Sequence, residues 1–319
     1  MSTRCVNADK PHRWKADIAA SVDQFNRWFM RFAPEAFRTT RVKTTEHVRA
    51  ALLTTRDLRN LDCATLHAAP SILPTLRMCT APPLAADRLI GLAGVNRSLI
   101  GSMEDGRLAS RMKLELLNEN LAAICRVLND LLDRDIFPWL DSGAEPTEHE
   151  RERASTIVAD RLCSAVANPI VRNAQEQRQF AAIEDFLRNR GYRKQAHPAG
   201  RSLTEMEAGT YAFRMNLSVG GSLKVKVPID VVIQPLRPRR GRIPLLIEAK
   251  SAGDFTNTNK RRKEEAMKVH QLRESYGESI CFVLFLCGYF GTDYLGYEAA
   301  EGIDWIWEHR IDDLLKLGV

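Results

Sequence analysis

The chain is poor in everything that marks a secreted, membrane or zinc-dependent protein. It has seven cysteines (Cys5, Cys63, Cys79, Cys125, Cys163, Cys281 and Cys287), an odd and scattered set with no C-x-x-C pair. That excludes a disulfide framework and a cysteine zinc site, and it points to free thiols in a reducing compartment. The histidines are isolated, and H-E-x-x-H, G-x-x-x-x-G-K-[ST] and G-x-S-x-G are all missing. Zinc proteolysis, nucleotide hydrolysis on a phosphate loop and serine ester chemistry therefore lack their parts. The longest apolar run, near Ile280 to Cys287, is far too short to cross a bilayer, and the opening MSTRCVNADKPHRWK has no apolar core of the kind a signal peptide needs. A cytoplasmic protein with no membrane partner is expected.

What is present is a folded chain with a mild basic bias. Its 319 residues and 45% hydrophobic content suggest two domains, or one core with a large extension. Lys and Arg number 46 against 40 Asp and Glu, a net charge of +6. Between Pro228 and Ser275 eleven Lys and Arg face six Asp and Glu, so +5 of that total lies in one window. An excess so placed is compatible with a polyanionic partner.

The first half reads as helix. Trp14, Ile18, Val22, Phe25, Phe29 and Phe32 recur at three and four residue steps over 13 to 32, an aromatic stripe best assigned to core packing. A shorter helix is predicted over 46 to 60, an irregular connector over 68 to 87 with four prolines, and the longest helix over 108 to 136. Leu114, Leu117, Leu121, Ile124, Leu128 and Leu131 form its seam. A charged helix follows from about Glu148 to Val166. Asn168-Pro169 is the expected boundary, dividing a helical domain, 1 to 167, from a second domain, 168 to 319.

After that point strands appear. Gln175 to Arg190 reads as a helix capped by Gly191, Thr210 to Val219 as a strand, and Gly220-Gly221 as a turn. Two apolar strands, Lys224 to Ile233 and Ile243 to Lys250, flank a loop of proline, arginine and glycine. A helix over Thr258 to Tyr276 carries Ala266, Val269, Leu272 and Tyr276 as its buried stripe. Ser279 to Cys287 is apolar without alternation, as a strand covered on both faces should be. A short strand, Asp304 to Glu308, and a final helix, Ile311 to Leu317, complete the pattern.

Three charged residues interrupt the two apolar strands: Asp230 in the first, Glu248 and Lys250 near the end of the second. Two positions apart, Glu248 and Lys250 leave the strand on one face. A carboxylate in so apolar a strand costs several kcal/mol, roughly, unless it is paired or holds a metal. Two carboxylates suit Mg²⁺, which takes its remaining ligands from water and phosphate oxygens, and a neighbouring ammonium suits an attacking water and a developing phosphorane charge. Asp on one strand and Glu-x-Lys on the next is the donor set of a metal-dependent phosphodiesterase.

Pro228-Ile229-Asp230 and Glu248-Ala249-Lys250 resemble the motif halves of the PD-(D/E)XK nuclease superfamily, with Ile229 intervening between Pro and Asp. Helix, three strands, helix, strand is also the order of that core. The resemblance implies an α/β (α+β) fold, a mixed-sheet restriction-endonuclease-like core beneath a large all-helical N-terminal region. It implies one or two Mg²⁺ per site, held by Asp230 and Glu248, with Glu176 as an extra ligand from the preceding helix. The competing use of Glu176 is a carboxylate favoured near a helix N-terminus.

Arg237, Arg239, Arg240 and Arg242 crowd the loop before the Glu-x-Lys strand, and Lys260, Arg261, Arg262 and Lys263 open the helix after it. Cations at a helix N-terminus oppose its dipole, so contact with DNA phosphates is the reading preferred to a solvated charge run. His270, on that helix, reads as a structural histidine.

IEAKSAGDFTNTNKRRKEEAMK, from Ile247 to Lys268, and NPIVRNAQEQR, from Asn168 to Arg178, resemble the XamI-type restriction endonucleases, over roughly 168 to 319. The resemblance implies a type II enzyme that cuts both strands of duplex DNA at a specific, GTCGAC-like site and leaves 5′-phosphate and 3′-hydroxyl ends. It also implies a homodimer matched to a palindromic target and a cognate DNA methyltransferase as functional companion. The helical N-terminal half would then serve dimer contacts, DNA recognition or both. A structure-specific repair nuclease or junction resolvase of the same core, or a DNA-binding protein with an inactive core, remain alternatives on the residues alone.

Overall fold

The computed structural model describes residues 5–108, 112–196, 203–220, 224–238, 243–256 and 258–319, with side chains for all of these except 204 and 258–262. The chain forms two compact units, Met1–Phe32 with Arg172–Val319, and Ala33–Val171. Two long helices, α1 (Pro11–Thr54) and α8 (Glu148–Arg188), each run from one unit into the other.

The helical unit comprises the second part of α1, the first part of α8, and between them α2 (Cys63–Ala68), α3 (Leu73–Met78), α4 (Ala86–Ala93), α5 (Arg97–Glu104), α6 (Leu114–Asp130) and α7 (Trp139–Ser142). Its core joins Val48 and Leu52 of α1 to Leu66, Leu76, Leu89, Leu99 and Val158. The α6 seam is buried there through Leu117, Leu121, Ile124 and Leu128, while Leu114 at its start is exposed. The proline-rich connector is more regular than its composition suggests. Pro70 and Pro74 occupy the first turns of a 3₁₀ turn and of α3, where a missing N–H costs nothing.

Two predicted breaks are absent. The helices read over 13 to 32 and 46 to 60 are one helix with Pro34 inside it, and the boundary at Asn168-Pro169 lies within α8. A proline removes one backbone hydrogen bond and crowds one turn, but it leaves the helical spacing of buried side chains intact on either side. Both prolines stand within three residues of the points where their helices pass between units, Phe32 and Arg172. The first 32 residues belong with the C-terminal unit. Trp14 meets Trp305 edge to face at 5.5 Å, and the Gly288 N–H donates to Ser21 Oγ (2.8 Å).

The sheet unit holds β1 (Arg193–Lys194), β2 (Thr210–Val219), β3 (Val225–Gln234), β4 (Leu245–Ala252), β5 (Phe282–Gly288) and β6 (Asp304–Trp307). Among the described residues they form one mixed sheet in sequence order. β2, β3 and β4 are antiparallel neighbours, and β4, β5 and β6 are parallel. The parallel steps need crossover helices, and α9 (Thr258–Tyr276) and α10 (Thr292–Ala300) supply them. α10 has no counterpart in the predicted elements. The end of the chain, Glu308–Leu317, is 3₁₀ rather than α.

Strand alternation assigns the two faces. Val231, Ile233, Ile247 and Phe285 pack against Phe180, Ile183 and Leu187 of α8. Val232, Leu246, Leu284 and Leu286 pack against Val269 and Leu272 of α9. All seven residues of β5 are buried, as its uninterrupted apolar run requires. Among the described residues no two of the seven cysteines form a disulfide.

Candidate active site

β3 and β4 pair at Val231↔Ile247, Val232↔Leu246 and Ile233↔Leu245, and the pairing goes no further. One more step of that register would set Asp230 opposite Glu248. The Asp230 carboxylate replaces the ladder at that point: its Oδ2 accepts the Ala249 N–H at 2.8 Å. The strands therefore part where the charged residues begin.

Glu248, 7% exposed, faces the α9 side. Its Oε1 lies 3.1 Å from Lys250 Nζ and 2.8 Å from Lys268 Nζ of α9, and its Oε2 is buried with no hydrogen-bond partner. Lys268 Nζ also donates to the Pro228 carbonyl (2.8 Å). Lys250 Nζ stands 3.4 Å from Glu265 Oε1, and Glu265, 2% exposed, accepts the Tyr294 hydroxyl at its other oxygen (2.6 Å). Asp230, Glu248 and Lys250 thus converge, and α9 adds Glu265 and Lys268 to them.

The electrostatics follow from burial and crowding. Burial first, and the Glu248 charge second, push the Asp230 carboxyl up to about 6, against the Ala249 N–H and the Lys250 and Lys268 ammonium groups. Burial pulls Lys250 down, but Glu248 and Glu265 outweigh it and hold the ammonium above its ordinary range. With three carboxylates and two ammonium groups, the cluster is one positive charge short of neutrality when all are ionised.

Neither Glu265 nor Lys268 was singled out by sequence reasoning as a site residue. The spacing did contain a signal, because Glu265 stands four residues before Val269 and seven before Leu272 on the buried stripe. Gln179 of α8 was also missed. Buried at 1%, its Nε2 donates to the carbonyls of Lys250 and Phe285, both at 3.2 Å.

The structure corrects Glu176. Its carboxylate pairs with Arg214 of β2 at 2.9 Å, and no described contact of Asp230, Glu248 or Lys250 involves it. The face of α8 turned inward is that of Gln175 and Gln179, one helical position away from Glu176. His270 is likewise no buried structural group. It is exposed and 3.2 Å from Glu274.

The sequence profile of the XamI restriction endonuclease family matches residues 56–307, most of the chain and well into the helical unit. This chain belongs to that family. Type II restriction enzyme SalI of Streptomyces albus G is 55% identical over 313 residues, which cover 98% of this chain and 99% of that enzyme. Type II restriction enzyme XamI of Xanthomonas campestris pv. amaranthicola is 26% identical over 117 residues, 37% of this chain and 39% of that one. Protein VC1899 of Vibrio cholerae, a solved structure, aligns at 11% identity over 78% of this chain and 54% of its own, with a TM-score of 0.28.

For a restriction endonuclease the cluster's chemistry suits a hard divalent cation. Mg²⁺ is commonly bound by one or two carboxylates together with substrate phosphate. Glu248 Oε2, buried and unpartnered, and the raised Asp230 carboxyl are two oxygens that a cation would relieve. Among the described residues no group of three or more His, Cys, Asp or Glu is placed to hold a metal.

Of the basic residues expected on DNA, Arg237 and Lys263 are described and exposed. Arg239, Arg240 and Arg242 lie outside the described residues. Positions 260 to 263 occupy the first turns of α9, and the side chains of Lys260, Arg261 and Arg262 are likewise outside the description. No helix among the described residues is long and apolar enough to cross a membrane.

Proposed function

We propose that this restriction endonuclease cuts both strands of duplex DNA at a short specific sequence through Asp230, Glu248 and Lys250. The observation that carries the proposal is the parting of β3 from β4, which brings a carboxylate from each strand beside one ammonium, with Lys250 Nζ 3.1 Å from Glu248.

Asp230 and Glu248 would hold Mg²⁺, which when bound lowers the pKa of a water and offsets charge on the scissile phosphate. Lys250, anchored between Glu248 and Glu265, orients the attacking water and meets the negative charge that develops on phosphorus. Gln179 fixes the backbone from which Lys250 projects. Glu265, itself held by the Tyr294 hydroxyl, pairs with the ammonium's far side. The basic residues 237 to 242 and 260 to 263 supply phosphate contacts.

The products carry 5′-phosphate and 3′-hydroxyl ends. The target is GTCGAC-like, on the family resemblance. A palindrome of that kind matches a two-fold homodimer, and a cognate DNA methyltransferase protects host DNA. The helical unit, Ala33–Val171, serves DNA recognition, dimer contact or both, and the unit formed by Met1–Phe32 with Arg172–Val319 carries the hydrolytic residues.

The test is digestion of a mapped plasmid with and without Mg²⁺, followed by sequencing of the ends. Discrete fragments cut at one sequence, lost in Asp230→Ala, are expected. Cutting that persists in Asp230→Ala overturns the assignment of residues. Structure-dependent nicking, or binding without cutting, overturns the assignment of function.

A further inference from the structure

The helical unit carries an arginine-lined cleft that the hydrolytic site does not use. Just beyond α1, three consecutive residues that are not glycine, Arg56, Asp57 and Leu58, have left-handed backbone, with φ of 46°, 56° and 66°. A Cβ disfavours that region, so it persists only where surroundings impose it. Here they do. The Asp57 carboxylate accepts two hydrogen bonds from Arg151, from Nε at 3.0 Å and Nη2 at 2.9 Å. Its carbonyl accepts the Trp139 indole N–H at 2.8 Å. Leu58 is buried, and its N–H donates to Thr55 Oγ1 at 3.1 Å.

Those contacts tie the side chains of Asp57 and Leu58 into the fold, whereas Arg56 is held through its backbone, its N–H donating to the Leu53 carbonyl and its own carbonyl accepting the Arg59 N–H, both at 3.2 Å. At a solvent-facing position with φ of 46°, glycine or asparagine fits with less strain, and no hydrogen bond or ion pair among the described residues ties the Arg56 side chain to the fold. Its side chain instead lines a cleft of about 700 Å³ with Arg49, Leu53, Arg59 and Asn60. Four arginines and two carboxylates line that cleft. Arg151 is taken by Asp57 and Arg59 by Glu145 (2.6 Å), which leaves Arg49 and Arg56 with no ion pair among the described residues.

We infer that Arg49 and Arg56 are phosphate contacts, with the strained turn serving to present Arg56 to the DNA backbone. Guanidinium groups match phosphate oxygens in paired hydrogen bonds, and two unneutralised ones in one cleft form a site for a polyanion. Trp139 and Arg151 are positioning residues, acting through Asp57. The inference rests on the endonuclease reading and adds a DNA contact from the helical unit.

The experiment compares wild type, the double variant Arg49→Gln/Arg56→Gln, and a charge control, Arg97→Gln, whose exposed side chain pairs with Asp87 at 3.1 Å. Binding to duplexes with and without the target sequence is measured with Ca²⁺ in place of Mg²⁺, between about 50 and 200 mM KCl. For the double variant the slope of log affinity against log salt should shrink by about 2, and affinity should fall on the order of 10-fold on both duplexes. Its melting temperature should match that of Arg97→Gln.

Affinity and slope equal to the control, with wild type binding normally, overturn the inference alone. A loss confined to the target duplex overturns the phosphate assignment in favour of base reading. Wild type that binds neither duplex removes this inference and the endonuclease reading together.

Discussion

In the proposed cation site Asp230 would answer to two opposed requirements: it would have to ionise to hold a cation, and it lies where ionisation is costly. Its carboxyl rises from 3.8 to about 6, so between those values the folded chain keeps a proton that the unfolded chain has released. Stability of the metal-free protein therefore falls as pH rises through that interval, and above about pH 6 the cost is complete. Asp230→Asn removes it. The variant should exceed wild type by on the order of 2 kcal/mol near pH 8 and match it near pH 4, in urea denaturation with chelator present. An equal gain at both pH values overturns the argument. Cation binding must displace the same proton, so Ca²⁺ affinity should drop about 10-fold per pH unit below about 6, measured calorimetrically. Lys268, with its Nζ 2.8 Å from Glu248 Oε1, would compete with a cation at the proposed site. Lys268→Met should tighten Ca²⁺ binding roughly 10-fold and raise the Asp230 carboxyl further, because a nearby positive charge is lost. Weaker Ca²⁺ binding in that variant would show instead that Lys268 holds Glu248 in its binding position.

At the scale of elements, α8 and α9 complete what β3 and β4 begin. Gln179 of α8 occupies two carbonyls of neighbouring parallel strands, Lys250 and Phe285. Gln179→Leu leaves both buried acceptors without that donor and should cost about 1–3 kcal/mol in thermal unfolding. Because β4 also loses its tie at Lys250, kcat should fall with little change in KM; a fall in stability alone would confine Gln179 to the fold. The strands were legible in the sequence because each is a dense apolar run whose interruptions, Asp230, Glu248 and Lys250, are conspicuous on local grounds. β2 begins and ends where its pattern places it, Thr210 and Val219, and α9 likewise at Thr258 and Tyr276. The helical contributions were harder to read. Glu265 follows the basic run of 260 to 263 in a charged stretch, and only its place on the buried stripe sets it apart. Glu176 looked inward because Phe180 is inward, yet the helix turns Gln175 and Gln179 to the sheet.

For the whole molecule, two compact units predict two separable stabilities. Leu121 is fully buried in the helical core, and Leu121→Ala should cost about 2–5 kcal/mol there through lost burial and a cavity. Scanning calorimetry should show that loss in one transition while the one governed by the sheet unit keeps its midpoint; a uniform shift of all unfolding would show that the two units unfold together. Pro169 signalled a change in the chain but misled about its kind. It marks where a long helix leaves one unit for the other, not where a helix stops, and Pro34 stands at the matching place in α1. The amino-acid sequence by itself determined the strands, the helical first half and the Asp230, Glu248 and Lys250 set, because alternation, apolar run length and the cost of a buried charge are local properties. Only the tertiary structure decided that the first 32 residues complete the sheet unit, that Glu265 and Lys268 join the cluster, and that Glu176 belongs to Arg214. Those outcomes depend on which distant side chains meet across packed elements, and no spacing along the chain encodes that meeting.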